Sequence, residues 1–280
     1  HAWFGYLGYE LKNSLETLPE DEDSFINTPA LQMIQYHNIL VFDHETHTVE
    51  LWSDTDTPPD LPIEQWHIRT NISSPTIASL QSNMSKETYL SYVTEIKEAI
   101  FRGDLYQANL TRKFYGEFDE TIDNFDLFLQ LCEHSPSAYS AFIKNRDISI
   151  LSSSPERFIQ LDNQGNAQIR PIKGSAPRSS NPQEDQRHKT ALKNSKKDQA
   201  ENLMIVDLSR NDLSRHCQLG SVKVTELFNI TSYATVHHMS SAIEAIKLPT
   251  SSSLALIQGC FPPGSMTGAP KIKAMELCSQ

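Results

Sequence analysis

Short runs of apolar and polar residues, separated by turn-forming residues, recur through the middle of this chain. Residues 140–143, 148–151 and 158–161 each have the length and composition of a strand. A turn signal at residues 162–166 follows the third run, and connections this short join antiparallel neighbours. Residues 39–52 have the same hairpin pattern. The sequence therefore predicts antiparallel sheets.

Helical patterns interrupt these strands. Ser85 precedes a stretch with apolar residues at helical spacing, and Gly103 follows it, which predicts a capped helix between them. Residues 105–115 predict a further strand. Residues 183–215 predict helix again, with Ser195 capping a second segment. Strands and helices together indicate an α+β protein.

Composition excludes several classes of protein. With 280 residues, 38% apolar and 21% charged, the chain has the composition of a soluble globular protein. A net charge of -11 argues against partners such as nucleic acid or an anionic membrane, because both favour clustered Lys and Arg. The four cysteines have no CxxC pairing, which argues against both a zinc site and a disulfide framework. This pattern is typical of a reducing compartment. We expect a cytoplasmic protein without a transmembrane helix.

The ends and a polar stretch suggest how the chain is organised. Residues 54–75 are rich in Pro, Asp, Thr and Ser, which predicts a linker or an elaborate loop between two halves of the chain. Residues 1–75 would then contain part of a sheet region and the linker, and residues 76–280 the region with the candidate catalytic residues. The first residue is His1, and the terminal helical pattern has no capping glycine. We expect the sequence to be truncated at both ends.

The first candidate site pairs an amine with a carboxyl group. The turn at 162–166 predicts that Glu156 and Lys173 lie on neighbouring antiparallel strands, at similar height. An ammonium shielded from water loses basicity, and a carboxyl group against Pro155 and Phe158 gains it. Such a pair suits displacement of a hydroxyl group. The alternative is a surface lysine and a salt-bridged glutamate.

The second candidate is a carboxylate on a helix. Glu201 shares one helical face with Ile205 and Leu208, so we expect it to be buried and to need a partner. That partner is either Arg or Lys, or a hard cation such as Mg2+, which accepts one or two carboxylates plus ligand oxygens.

Two further segments carry polar groups. Residues 264–271 enter a helix through glycines, which favours either an anion such as a carboxylate or simply a tight turn, and they lack the spacing of a nucleotide-binding loop. His237 and His238 are adjacent in an extended segment, so they point to opposite faces. Only one of them can therefore point into a given pocket. The alternative to a histidine in a functional site is a buried structural histidine.

Six blocks of the sequence, taken in order, resemble the chorismate-utilising enzyme family, which includes anthranilate, isochorismate and salicylate synthases. Within it, the chain is similar to the large subunit of the aminodeoxychorismate synthases. Lys173 is the specific marker, because anthranilate synthases characteristically have alanine there. The blocks are residues 4–9, 103–110, 154–158, 170–175, 201–212 and 264–271.

The resemblance implies a fold of two packed, mostly antiparallel β-sheets wrapped by helices. It implies transfer of ammonia to C4 of chorismate, giving 4-amino-4-deoxychorismate, a precursor of 4-aminobenzoate and folate. It also implies Mg2+ and a glutamine amidotransferase, as a subunit or domain, that supplies ammonia. The alternatives are an anthranilate synthase large component and a noncatalytic fragment that docks an amidotransferase.

The resemblance also assigns roles to single residues. Lys173 would attack C2 of the ring, and Glu156 would protonate the departing C4 hydroxyl. Glu201 would hold Mg2+, and His238 would lie beside the reacting ring. Contacts with the ring and its carboxylates are implied for Ser175, Thr267 and Gly268.

Overall fold

The computed structural model describes residues 2–19, 28–62, 75–119 and 121–279. Antiparallel strands and helices alternate along this part of the chain. The strands are β1 (Ala2–Leu7), β2 (Leu31–Tyr36), β3 (Asn38–Asp43), β4 (Thr48–Ser53), β5 (Ile77–Ser82), β6 (Gln107–Ala108), β7 (Phe114–Phe118), β8 (Tyr139–Asn145), β9 (Ile148–Ser154), β10 (Arg157–Leu161), β11 (Asn166–Arg170), β12 (Ile172–Pro177), β13 (Lys223–Ser232), β14 (Val236–Ile246) and β15 (Gly268–Ala269). The helices are α1 (Lys12–Leu15), preceded by a 3-10 turn at Tyr9–Leu11, α2 (Lys86–Arg102), α3 (Asn124–His134), α4 (Pro182–Asn194), α5 (Lys196–Ser214), α6 (Ser253–Cys260), α7 (Gly264–Thr267) and α8 (Lys271–Cys278).

Strand β14 is the centre of a five-stranded antiparallel sheet. It pairs with β13 along one edge, and with β11 and β12 in succession along the other. Pro171 separates β11 from β12 and has no N–H to donate to the ladder. Strand β10 pairs with β11. In the described part of the chain the remaining strands form the pairs β1–β2, β3–β4, β5–β7, β6–β15 and β8–β9.

The predicted α+β class with antiparallel sheets is confirmed, and so are the hairpins. Ile39 pairs with Trp52 across β3 and β4. Strands β8, β9 and β10 contain the three predicted runs, and Asp162 closes the β10–β11 turn by accepting a hydrogen bond from the Gln164 amide. Linker residues 63–74 lie outside the described residues, and residues 54–62 have no helix or strand.

The prediction of one strand over residues 105–115 is wrong. Only β6 and β7 form there. The amide of Tyr106 donates to the carbonyl oxygen of Ala269, and that of Asn109 donates to Thr267. These bonds to a distant segment take the donors that a longer local strand would use.

The predicted helix starts and ends are confirmed. The Ser85 hydroxyl accepts a hydrogen bond from the Thr88 amide at the start of α2, and Gly103 ends that helix with φ at 83°. Ser195 divides the second helical stretch by accepting from the Asp198 amide, which begins α5.

Helices α5 and α6 supply much of the core beneath the five-stranded sheet. Helix α5 contacts β12, β14, α6 and α7, so its residues reach both the sheet and the segment before α8. None of the described helices is long and apolar enough to cross a membrane. The four cysteines, all within the described residues, are free thiols. The buried core residues are Ala167, Ile169, Val206, Leu213, Cys217, Ile243, Ala245, Leu256 and Cys260.

Candidate active site

Lys173 is half-buried on β12, and its amine reaches α7. The Nζ atom donates to the carbonyl oxygen of Ser265 at 3.0 Å. The next residue, Gly174, has φ at 94°, and a Cβ there would lie 2.9 Å from the Cβ of Asp198 on α5. Glycine therefore permits both the left-handed conformation and the close approach of β12 to α5 that set the position of Lys173.

Glu156 lies just before β10, and its carboxyl group meets the same residue of α7. Its Oε1 atom accepts a hydrogen bond from the Ser265 hydroxyl at 2.6 Å. Burial raises the pKa of Glu156, while the Ser265 hydroxyl, the Ile172 amide and the charge of Lys173 oppose that rise. The direction agrees with the expectation from sequence, and it favours a carboxyl group that keeps its proton.

Ser265 therefore joins the two groups, through its carbonyl to Lys173 and its hydroxyl to Glu156. The prediction that they lie on neighbouring strands is wrong, because β10 pairs with β11 and not with β12. Sequence reasoning included Ser265 in the segment 264–271 but gave it no role. The available signal was a hydroxyl beside a glycine just before a helix, and it did not indicate which groups that hydroxyl would meet.

A narrow cavity lies behind Glu156, with room for about one water molecule. Groups from β10, β11, α5, α7 and the chain between α6 and α7 surround it, so it joins the carboxyl group to the interior of the protein. Its lining comprises Glu156, Phe158, Ile169, Pro171, Ser209, Asp212, Cys260, Pro263, Gly264 and Ser265.

His238 is half-buried on β14, opposite Ser175 of β12. Its Nδ1 atom and the Ser175 hydroxyl are 2.8 Å apart and share a hydrogen bond. The ring of Tyr233 lies edge-on at 5.6 Å between centroids. Burial lowers the pKa of His238, which favours the neutral imidazole.

His237 points to the other face of β14, as strand alternation predicts. It is fully buried, and its ring nitrogens lie 2.9 Å from the Ser232 hydroxyl and 3.1 Å from the Asp185 carboxylate. Arg178 binds the same carboxylate at 2.8 Å. His237 thus serves a structural network behind the strand, and only His238 lies on the face with Ser175.

Glu201 lies one helical turn after Asp198 on α5, which places it on the side of the helix that meets β12. It is half-buried, so the expectation of full burial is wrong, because the start of α5 is only partly covered. Among the described residues its carboxylate has no hydrogen-bond or ion-pair partner. No group of three or more potential metal ligands exists within them. A single free carboxylate still fits Mg2+, which takes few protein ligands and completes its shell with water and ligand oxygens.

Residues 264–271 form α7, β15 and the start of α8. The hydroxyl of buried Thr267 donates to the carbonyl of Pro263 at 3.4 Å. Gly268 has φ at 146°, and a Cβ there would lie 2.2 Å from the carbonyl oxygen of Gln107. The alternative of a tight turn therefore accounts for the glycine, and ring or carboxylate contacts for Thr267 and Gly268 stay predictions. The amine of Lys271 is not available to an anionic ligand, because it already forms an ion pair with the carboxylate of Asp212 at 2.7 Å.

The geometry can be compared with known proteins. The profile of the family described as "chorismate binding enzyme" matches residues 1–280. The chain is 41% identical over 278 residues to aminodeoxychorismate synthase component 1 of Escherichia coli, covering 99% of this chain and 60% of that protein. It is 43% identical over 298 residues to the chloroplastic aminodeoxychorismate synthase of Arabidopsis thaliana, covering 99% of this chain and 32% of the relative.

A solved structure supports the fold assignment. The crystal structure of anthranilate synthase component I from Streptococcus pneumoniae superposes with a TM-score of 0.84 at 25% identity, covering 99% of this chain and 64% of that one. The chain spans about 60% of the length of the bacterial component 1 relatives that it matches.

Proposed function

The chain belongs to the family of chorismate binding enzymes, and on that premise we propose that it acts in the amination of chorismate at C4, as the large component of an aminodeoxychorismate synthase. One observation carries the proposal. Lys173 and Glu156 both form hydrogen bonds to Ser265, and this proximity supports the roles of nucleophile and acid. The identity to relatives that bear this name supports the same activity.

The proposed reaction uses these two groups in sequence. The Lys173 amine forms a bond to C2 of the ring, the double bonds shift, and the C4–O bond breaks. Glu156 supplies the proton with which the hydroxyl leaves as water. Ammonia then forms a bond to C4, the double bonds shift back, and Lys173 leaves as the neutral amine while the Glu156 carboxylate takes up the proton that the new amino group loses. The raised pKa of Glu156 suits this role, because the acid must hold its proton until the hydroxyl departs.

The remaining groups would hold the substrate. Glu201 would contribute one carboxylate to a Mg2+ site, and the metal would supply positive charge for a carboxylate of chorismate. The Ser175–His238 pair, with a neutral imidazole, would orient the ring. Ring or carboxylate contacts at Thr267 and Gly268 belong to the same proposal.

Ammonia would come from a glutamine amidotransferase. The names of the bacterial relatives designate a component 1, which supports the existence of a second component in those enzymes. The proposal therefore places this chain in a complex, or in a longer polypeptide, with an amidotransferase.

A product assay tests the proposal. The chain would be incubated with chorismate, Mg2+ and ammonium salt, and aminodeoxychorismate lyase would then be added. We expect 4-aminobenzoate, lost in Glu156→Gln and retained in Lys144→Met, which changes an exposed strand lysine. Fluorescent anthranilate would instead identify an anthranilate synthase. Chorismate binding measured by calorimetry, weaker without Mg2+ and in Glu201→Gln, tests the substrate site independently of turnover.

A further inference from the structure

A buried ion pair closes the segment that carries Ser265. Lys271, the first residue of α8, donates from Nζ to Asp212 of α5 at 2.7 Å. The same amine donates to the carbonyl oxygen of Cys260 at 3.2 Å. Cys260 ends α6 and Lys271 begins α8, so the contact ties together the two ends of residues 261–270 and fastens both to α5.

The closed segment is pressed against α5 as well. Gly264 at the start of α7 leaves so little space that a Cβ there would lie 2.3 Å from the Cδ2 atom of Leu208. Ser265 follows directly and is only 5% exposed. Its two contacts, with Lys173 and Glu156, therefore depend on where the ends of the segment are held.

The ion pair also borders the cavity behind the acid. Asp212 lines that cavity together with Glu156, and both carboxyl groups are shielded from solvent. Proposed catalysis uses neither Asp212 nor Lys271. A buried charge pair is costly to desolvate, so its presence one cavity away from the reacting groups needs an explanation.

We propose that Lys271 and Asp212 are positioning residues for the Lys173–Glu156 pair. Their ion pair fixes residues 261–270, and thereby holds Ser265 where its carbonyl meets the amine and its hydroxyl meets the acid. The inference deepens the proposed function, on which it rests, because Lys173 and Glu156 are the reacting groups there.

The charges around Asp212 give this coupling a pH dependence. Lys271 and Arg215 face it with positive charge, and Glu156 and Cys260 line the same cavity. Burial raises the pKa of Asp212 to about 6, against the pull of both cations. The pair is therefore ionised at neutral pH. As pH falls through that value, Asp212 gains a proton and its attraction for Lys271 weakens.

An NMR titration tests the proposal without requiring turnover. Glutamate would be labelled with 13C at the carboxyl carbon, and Glu156→Gln would assign the Glu156 signal. In Asp212→Asn/Lys271→Met, which removes the ion pair without leaving a charge beside Glu156, we expect the titration midpoint of Glu156 to rise, because the Ser265 hydrogen bond that lowers its pKa is displaced. Lys271→Arg, which keeps the ion pair, should retain most of the wild-type curve. Lys273→Met is the matched control, since Lys273 pairs with Glu276 on the exposed side of the same helix.

Two outcomes would overturn the proposal. One is a Glu156 titration in folded Asp212→Asn/Lys271→Met that superimposes on the wild-type curve. If that variant does not fold, Asp212→Leu/Lys271→Met replaces the ion pair by apolar side chains and answers the same question. The other is a shift of the Glu156 titration midpoint of equal size in the control variant Lys273→Met.

Kinetic measurements provide a second test of the positioning role. For an active preparation we expect kcat to fall roughly 10- to 100-fold in Lys271→Met with little change in KM, since misplacement affects the reacting groups rather than binding. An unchanged kcat contradicts the positioning role. If the wild-type chain turns over no chorismate, the proposed function fails while the NMR titration still decides whether the ion pair positions Glu156.

Discussion

Replacing Gly174 by alanine tests how β12 presents Lys173. Gly174 has φ at 94°, and its added Cβ would lie 2.9 Å from the Cβ of Asp198. Gly165 offers a matched control, because its φ is 89° but the nearest atom to an added Cβ is 3.8 Å away, on Lys247. The two variants share the backbone cost, and only Gly174→Ala adds a steric conflict.

The magnitudes follow from these geometries. A left-handed conformation costs an L-residue about 1–2 kcal/mol, and the lower entropy of the unfolded alanine chain offsets about 0.4–1 kcal/mol. Gly165→Ala should therefore lower the free energy of unfolding by at most about 1.6 kcal/mol. Overpacking against Asp198 adds about 1–3 kcal/mol, so Gly174→Ala should lower the free energy of unfolding by about 1–4.6 kcal/mol in all.

Urea unfolding followed by circular dichroism measures both values on the same scale. Equal losses in Gly174→Ala and Gly165→Ala would refute the reasoning, because the contact with Asp198 would then place no constraint on β12. In the assay of the proposed function, Gly174→Ala should also lower kcat, since β12 must move away from α5 and carries Lys173 with it.

Three further predictions concern reactive and titrating groups. Lys173→Ala should abolish formation of 4-aminobenzoate in the coupled assay while leaving the circular dichroism spectrum intact, and unchanged turnover would remove Lys173 from the mechanism. Hydrogen bonds from Arg178 and the Ser179 amide hold the pKa of Asp185 well below its ordinary range, so this group stabilises the fold above about pH 4 and the contribution disappears as pH falls further. Asp185→Asn should therefore lower Tm at pH 7, with a deficit that shrinks on acidification; a deficit that stays constant down to about pH 3 contradicts this. Cys278 lies on the surface, so it should react with iodoacetamide in the native protein, although partial burial raises the pKa of its thiol and slows the reaction. Cys260 is fully buried and has a pKa raised to about 12, so it should react only after denaturation, as peptide mass mapping would reveal.

Local patterns predicted the secondary structure well where each element depends on its own residues. Ser85 and Gly103 bracket α2 because a hydroxyl caps the first turn and a glycine adopts the left-handed conformation at the last. The β3–β4 and β10–β11 hairpins follow from turn residues between short apolar runs. Residues 105–115 are the counterexample, since their amides bond to the segment around β15 and the local preference for a continuous strand is overridden.

The sequence by itself determined which residues are candidates for carrying chemistry. Lys173 and Glu156 each stand in a distinctive short block, and His238 is separated from His237 by the alternation of a strand. A motif is a property of neighbours in the chain, so it can be read without knowing how the chain folds.

Only the tertiary structure decided how those residues meet. Ser265 is 92 residues from Lys173 and 109 from Glu156, and Lys271 is 59 from Asp212. No periodicity or turn signal extends over such separations. The contacts arise because α5 packs beneath β12 and β14 and also holds the segment before α8, which brings distant parts of the chain together around one acid.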